Sequence, residues 1–273
     1  MSQDRPISLH HLTALDSTPA ELVAIAGALE CYRVCLFTNV PESARHLFPM
    51  VTPDTREQVS DALAQEGVRL HNIEVFPLMP NTDLSVFHRG LELGAILGAA
   101  RATAHIHIAE QDEAIDAFGL FCDLAAEYRM EVGLEFNAFS KIRTPSAAAA
   151  IVHGATRANG DIVLDLLHAV RSGASAYELR EIAPIVGYAQ ICDGPPAIAP
   201  ELRWHEAVEE RALPGTGAFP IAAIIAPLRA DVVIEVEVPQ TDMMRAGVTA
   251  IERARRAIEA ARRFTNGATN AHA

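Results

Sequence analysis

Residues 231–240 read DVVIEVEVPQ. Val232, Val233, Ile234, Val236 and Val238 spell a buried β-strand, yet Glu235 and Glu237 stand among them. A carboxylate placed among β-branched residues is costly unless it is paired, protonated or bound to a metal. Alternation along a strand puts both glutamates on the same side. Glu237, nearer the C-terminal end, takes the ligand role, and Glu235 is expected one layer deeper, against an arginine or a histidine.

Seven other β-rich runs precede this one: PISLHHLT (6–13), YRVCLFT (32–38), VRLHNIEVF (68–76), ATAHIHIA (102–109), EVGLEF (131–136), DIVLDLL (161–167) and VGYAQICD (186–193). Each is followed by a helical pattern. STPAELVAIAGALE offers Ser17 or Thr18 as N-cap with Pro19 in the first turn. TPDTREQVSDALAQEG repeats that opening and ends on a glycine suited to a C-cap. NTDLSVFHRGLELGAILG and DEAIDAFGLFCDLAAEY carry apolar residues at three- and four-residue spacing. Shorter helices are expected in SAAAAIVHGA, SAYELREIAPI and FPIAAIIAPL, and VTAIERARRAIEAARRF closes the series with arginines on its outer side. Eight strand–helix alternations imply a parallel sheet. In 273 residues a closed (β/α)8 TIM barrel, an α/β fold, fits better than an open doubly wound sheet. No GxGxxG or GxxxxGK[ST] follows the first strand. One barrel domain is expected over 1–265, with a disordered polar tail over 266–273.

Composition narrows the function classes. The formal charge of −13 repels phosphate backbones and opposes nucleic-acid binding. No apolar run is long enough for a membrane span. The start MSQDRPISLHH lacks the features of a signal peptide, so a cytoplasmic protein is expected. Four scattered cysteines, without a CxxC pair, read as reduced and buried thiols.

In a barrel of this kind functional groups gather at the C-terminal ends of the strands. Four consecutive late strands carry an oxygen donor there: Glu135, Asp165, Gln190 and Glu237. A lone strand carboxylate is commonly an ion pair or a strand-end cap, whereas four converging donors make a cation site. Hard oxygen donors suit Mn²⁺ or Mg²⁺, with Co²⁺ or Zn²⁺ also able to bind. His168, three residues after Asp165, is placed to contact substrate. His105 and His107 share one face of their strand and either line the interior or pair with carboxylates. Glu74, Arg171, Arg211 and His107 are candidate substrate contacts, Lys141 and Arg143 weaker ones, and His10 and His11 weaker still. Gly215 and Gly217 in LPGTGAF could admit backbone N–H groups to a ligand, but a plain turn is the preferred reading and the motif is too short to claim phosphate binding. Phe48, Phe76 and Trp204 read either as packing residues or as a surface for a less polar substrate.

With these residues in order, the chain resembles the xylose isomerase-like TIM barrels, the sugar phosphate isomerases/epimerases. The text LFCDLAAEY, VGLEF, VLDLLHAVRSG, YAQICDGP, ERALPGTG and IEVEVP carries the likeness, most densely over 119–265. The resemblance implies one divalent metal held by Glu135, Asp165, Gln190 and Glu237, with His168 at the substrate. It also implies a small polyhydroxylated ketone or aldehyde as substrate, with Glu135 and Glu237 as catalytic residues flanking the reacting carbon. A Lewis acid stabilises the enediolate formed when the α-proton leaves, and two glutamates can exchange that proton between faces. Gln190 departs from the histidine usual in sugar epimerases and is similar to the inosose and 3-dehydroshikimate dehydratase branch. A metal-dependent dehydratase or lyase is therefore the alternative reaction, and a non-catalytic binding or partner subunit the alternative class. An endonuclease IV type nuclease would want more histidine ligands and a basic surface. Apolar positions on the outer helices allow a homo-oligomer.

Overall fold

The computed structural model describes residues 4–266. Of the expected polar tail, residues 267–273 lie outside the described part. Eight parallel strands close into one barrel in sequential order: β1 (Ile7–His10), β2 (Arg33–Phe37), β3 (Arg69–Leu78), β4 (Arg101–Ile106), β5 (Glu131–Glu135), β6 (Gly160–Asp165), β7 (Val186–Ile191) and β8 (Val233–Val236). β1 pairs with both β2 and β8, which completes the ring. Helices follow the strands and cover the barrel from outside, a single (β/α)8 barrel.

Alternation within the strands resolves the puzzle of DVVIEVEVPQ. Ile234 and Val236 belong to the main apolar core, together with Leu164, Ala189 and Ile191 of the neighbouring strands. Val163, Tyr188 and Val233 pack separately as a small cluster of their own. Parallel register sets Val163 beside Tyr188 and Tyr188 beside Val233, and two residues further on it sets Asp165 beside Gln190 and Gln190 beside Glu235. One side of each strand therefore packs on the helices, while the other forms first an apolar layer and then a polar one inside the barrel. Gly133 makes room for that apolar layer: a Cβ there would lie 2.5 Å from Val163 Cγ2. At the opposite end from the polar layer, Arg101 pairs with Asp161 and lies over the Tyr188 ring.

Several local expectations are met by the chain's own chemistry. Thr18 caps Pro19–Ala28 in a full capping box with Glu21, and Gly67 ends Arg56–Glu66 at φ +64°. The opening of that second helix differs from expectation. Thr52 and Thr55 close a hydrogen-bonded turn around Pro53, and the helix begins only at Arg56. In the last helix, Ala250–Thr265, Arg253 is not on the outer side: it is buried and bonds Asp16 and the Val248 carbonyl. Three short helices were not anticipated, Leu166–Arg171, Arg203–Val208 and Thr241–Arg245, the first taking Leu166 and Leu167 out of the expected strand.

Cys31, Cys35, Cys122 and Cys192 are all free and buried. Burial raises the Cys31 thiol to about 11 and the Cys122 thiol to about 12. A thiol-reactive dye is expected to label essentially none of the four in the native protein and all of them after denaturation. Rapid native labelling would show that the barrel opens locally around one of these strands. No helix among the described residues is long and apolar enough to cross a membrane.

Candidate active site

A cavity of about 250 Å³ opens at the C-terminal ends of the strands. Glu74, His105, His107, Glu135, His168, Gln190, Arg211 and Glu237 all border it. Asp165 is fully buried just beside them. Two of the weaker candidates turn elsewhere, Arg143, which donates to the Ser140 carbonyl, and His11, which pairs with the Ser17 carbonyl. So does Arg171. Its guanidinium clamps Glu206, bonds the Pro195 carbonyl and lies over the Phe219 ring. As the last residue of the helix Leu166–Arg171, nearly a full turn beyond His168, it joins two helices instead of reaching the barrel mouth.

Asp165 ends β6 and caps the helix Leu166–Arg171 that follows, its Oδ1 accepting from the Leu167 N–H at 2.6 Å. The other oxygen, Oδ2, accepts from Arg211 Nη1 at 2.9 Å. His168 lies one turn into the same helix, with Nε2 3.3 Å from Glu135 Oε1. His105, on β4, hydrogen-bonds the other oxygen of Glu135. Both of its readings hold: it pairs with a carboxylate of the neighbouring strand β5 and it borders the cavity.

Glu237 lies one residue beyond β8, but its backbone still follows the sheet, with its N–H donating to the Ile191 carbonyl at 3.2 Å. Thr13 fixes the chain on either side of it, bonding the Val236 carbonyl and the Val238 N–H. Arg211 reaches the site from the long β7–β8 connection. Backbone bonds join Asp193 to Ala212 and the Arg211 N–H to the Pro239 carbonyl, so this segment is pinned between the ends of β7 and β8. Arg211 Nη2 then donates to Glu237 Oε1 at 3.1 Å. One buried guanidinium thus joins two of the four expected metal ligands.

Gly215 and Gly217 do not offer their N–H groups to a ligand. Both donate to Asp193 Oδ2 at 2.9 Å, while Gly194 and Phe219 donate to Oδ1. LPGTGAF is a turn organised by Asp193, and it holds the Arg211 segment in place.

A second polar group lies deeper. His10 Nε2 is 2.9 Å from Glu74 Oε2, and Ser8 donates to Glu235 Oε2 at 3.0 Å. Gln190 Nε2 stands 3.3 Å from Glu74 and 3.4 Å from Glu235. Glu235 is one layer below Glu237, as expected, and has serine, glutamine and nearby His10 around it instead of an arginine. Asn72, Thr103 and the Tyr188 hydroxyl form the floor beneath.

Electrostatics follow from this burial. Desolvation pushes Glu237 well above the ordinary carboxylate range, against the pull of Arg211. It also raises Glu235 to about 7. Asp165 moves the other way, because Arg211 and His168 outweigh its desolvation. Burial lowers His168, favouring the neutral imidazole, although Asp165 and Glu135 oppose that shift. His105 is raised despite burial by its contact with Glu135. His107, half-buried, is lowered by desolvation and by His105.

Burial also opposes a charge on His10, but Glu74, Glu237 and Glu235 outweigh it and raise the imidazole to about 10. Its ordinary value is 6.5, so stability from this ion pair is complete below that value and is lost as pH rises through 10. In chelator-treated protein, thermal melts are expected to fall by about 5 °C or more between roughly pH 7 and pH 10. The fall should be shallower in His10→Gln. An equal fall in both proteins would place its origin elsewhere.

Two buried acceptors at the cavity floor have no hydrogen-bond partner, Gln190 Oε1 and Glu237 Oε2. With His168 neutral and all five carboxylates ionised, Glu74, Glu135, Asp165, Glu235 and Glu237 outnumber Arg211, His10 and His105 by the charge of one divalent ion. A proton on Glu237 relieves part of this excess, and a cation held by oxygens would relieve it more completely. By charge and donor chemistry, the oxygens of Glu135, Asp165, Gln190 and Glu237 suit a divalent ion. Two buried groups meet the geometric minimum for a metal, His10–Cys35–Glu74–Glu235 and Glu135–Asp165–His168. The second contains two of the expected ligands, Glu135 and Asp165, with His168 beside them, and Glu237 is in neither group.

Residues 34–266 match the profile of the Xylose isomerase-like TIM barrel family. The chain belongs to that family. None of the curated proteins matches it by sequence. Among solved structures, the IOLI protein with a bound zinc atom superposes with a TM-score of 0.76 at 16% identity, over 97% of this chain and 100% of that one. D-psicose 3-epimerase, determined in the presence of D-fructose, superposes with a TM-score of 0.70 at 14% identity, over 97% and 100%. A xylose isomerase-like TIM barrel/4-hydroxyphenylpyruvate dioxygenase fusion protein gives 0.77 at 17% identity, and the alignment covers 94% of this chain but 42% of that one. At these identities the likeness is one of fold.

Proposed function

We propose that the chain is a divalent-metal-dependent isomerase or epimerase that removes and returns an α-proton on a hydroxy-ketone of the keto-sugar kind. One observation carries the reading. Two buried glutamates, Glu135 and Glu237, reach one cavity from strand ends three places apart on the ring, and Glu237 keeps one oxygen unpartnered. Family membership and the epimerase fold neighbour are consistent with it.

A cation held by Glu135, Asp165, Gln190 and Glu237 would supply Lewis-acid stabilisation of negative charge on a substrate oxygen. Mn²⁺ and Mg²⁺ suit the all-oxygen set best, with Co²⁺ and Zn²⁺ as further candidates. Glu135, approached by His105 and His168, is the base that takes the proton. Glu237, which reaches the cavity from another side of the ring, returns one to the opposite face, and inversion at carbon follows. His168, held neutral by burial, donates a hydrogen bond to a substrate oxygen. Arg211 fixes the orientation of Glu237 and keeps Asp165 ionised.

The test is deuterium uptake from D₂O at the carbon next to the ketone, followed by NMR with Mn²⁺ present and after chelation. Uptake that depends on metal supports the reading, and its absence across hydroxy-ketones removes it. Gln190 at the third donor position favours a second reading, the dehydratase. Loss of water after the same proton removal would add ultraviolet absorbance from a conjugated product, which epimerisation does not.

A further inference from the structure

The upper walls of the cavity are made of a different material from its floor. Leu12, Phe37 and Phe48 stand on one side, and Phe139, Trp204 and Val208 on the other. The two groups face each other by topology: Phe37 ends β2, whereas Phe139 and Trp204 belong to the connections after β5 and β7, which flank β6 across the ring. The aromatic residues are ordered against their neighbours. Phe37 and Phe48 have ring centroids 5.1 Å apart, Phe139 and Trp204 meet edge to face at 5.2 Å, and Phe139 meets His168 at 6.1 Å. Phe139 and Trp204 remain 38% and 50% exposed, a large apolar area for water to cover at a cavity mouth.

Charge sharpens the restriction. Arg211 is the only Lys or Arg among the residues bordering the cavity, and both arms of its guanidinium are engaged by Asp165 and Glu237. His105 is committed to Glu135, and His107 is lowered toward its neutral form. His168, the remaining imidazole on the wall, faces Glu135 at 3.3 Å and Asp165 at 3.8 Å. Among the described residues bordering the cavity no Lys or Arg is left for a phosphate, and the floor itself is acidic. A polyhydroxylated chain would meet few hydrogen-bond partners along the upper walls.

Resting on the α-proton chemistry proposed above, we infer that the substrate is an uncharged hydroxy-ketone bearing an apolar, ring-sized group. The hydroxy-ketone end enters the polar floor, and the apolar group lies between the Phe37–Phe48 wall and the Phe139–Trp204 wall. A phosphorylated sugar is excluded by the same arrangement, and an open-chain hexulose fills the upper cavity poorly.

Trp204 is the single tryptophan of the chain, so its fluorescence reports filling of this cavity without any need for turnover. Three probes separate the outcomes in Mn²⁺-loaded protein: 1-hydroxy-4-phenylbutan-2-one, D-fructose and D-fructose 6-phosphate. The phenyl ketone is expected to bind at least tenfold more tightly than fructose, and the phosphate ester to give no saturable change. Phe48→Ala and Phe139→Ala should each weaken the phenyl ketone about fivefold or more while leaving fructose unaffected. Fructose bound as tightly as the phenyl ketone, saturable binding of the phosphate, equal effects of the variants on both ketones, or no response to any probe would each overturn the inference. Deuterium uptake measured in the same samples keeps the two questions apart. Preference for the phenyl ketone without exchange leaves this specificity standing and removes the reaction; exchange with fructose alone does the reverse.

Discussion

Glu237→Gln is expected to slow α-proton exchange by about 1,000-fold, the scale of a lost general acid or base, while leaving the melting temperature nearly unchanged. The expectation comes from the two oxygens of this side chain. Oε1 accepts from Arg211 Nη2 at 3.1 Å, and a glutamine oxygen can accept that bond in its place. Oε2 is buried without a partner, and burial pushes the carboxyl well above its ordinary range. In the metal-free protein the group is thus disposed toward its neutral form, which glutamine imitates in shape and charge. Folding therefore loses little, within roughly 1 kcal/mol. Chemistry loses the proton that this group carries, and cation affinity falls with it because one anionic donor is gone. Exchange kinetics by NMR, elemental analysis and a thermal melt on the same preparation check all three. Exchange retained within tenfold would remove Glu237 from the reaction and move attention to Glu235, which register sets beside Gln190.

That register also explains what could and could not be read from the chain. Strand periodicity is local, so eight strands and the side on which Glu135, Asp165, Gln190 and Glu237 stand were legible from alternation alone. The partners of those residues were not. Arg211 and Arg171 read as equal candidates among the loop arginines. What separates them is a pair of long-range backbone links, Asp193 with Ala212 and Glu210 with Gln240, that press residue 211 between two strand ends. Arg171 sits at the end of a short helix facing Glu206, a contact made across 35 positions in sequence. The glycines of LPGTGAF gave a signal for close approach to an anion. The anion is the chain's own Asp193. Trp204 could be read either way because its helix, Arg203–Val208, has only six residues and too little periodicity to orient it. Ion-pair choices such as His105 with Glu135 depend on which strands are neighbours, and that becomes decidable once the barrel order is known.

Arg211→Met is expected to be the most destabilising single change in the site. It should cost about 3–5 kcal/mol in chelator-treated protein, a fall of roughly 10 °C in melting temperature. The guanidinium is 4% exposed and donates to Asp165 Oδ2 and Glu237 Oε1. Methionine keeps much of the volume but leaves two buried carboxylates facing each other with no countercharge. Asp165 suffers more, because its low pKa rests chiefly on Arg211 outweighing desolvation, whereas Glu237 can take up a proton. Stability from a carboxylate held below its ordinary pKa is present at neutral pH and disappears as pH falls through the lowered value. The wild-type advantage over Arg211→Met should therefore shrink on acidification below the ordinary aspartate value of 3.8. A divalent cation supplies the missing positive charge to the same oxygens, so Mn²⁺ should raise the melting temperature of the variant by more than it raises that of the wild type. This comparison separates two roles for the arginine. If it only braces the barrel, metal will not restore what methionine removes. If it balances charge at a cation site, rescue by metal will be large and will vanish when Asp165→Asn or Glu237→Gln is added to the variant.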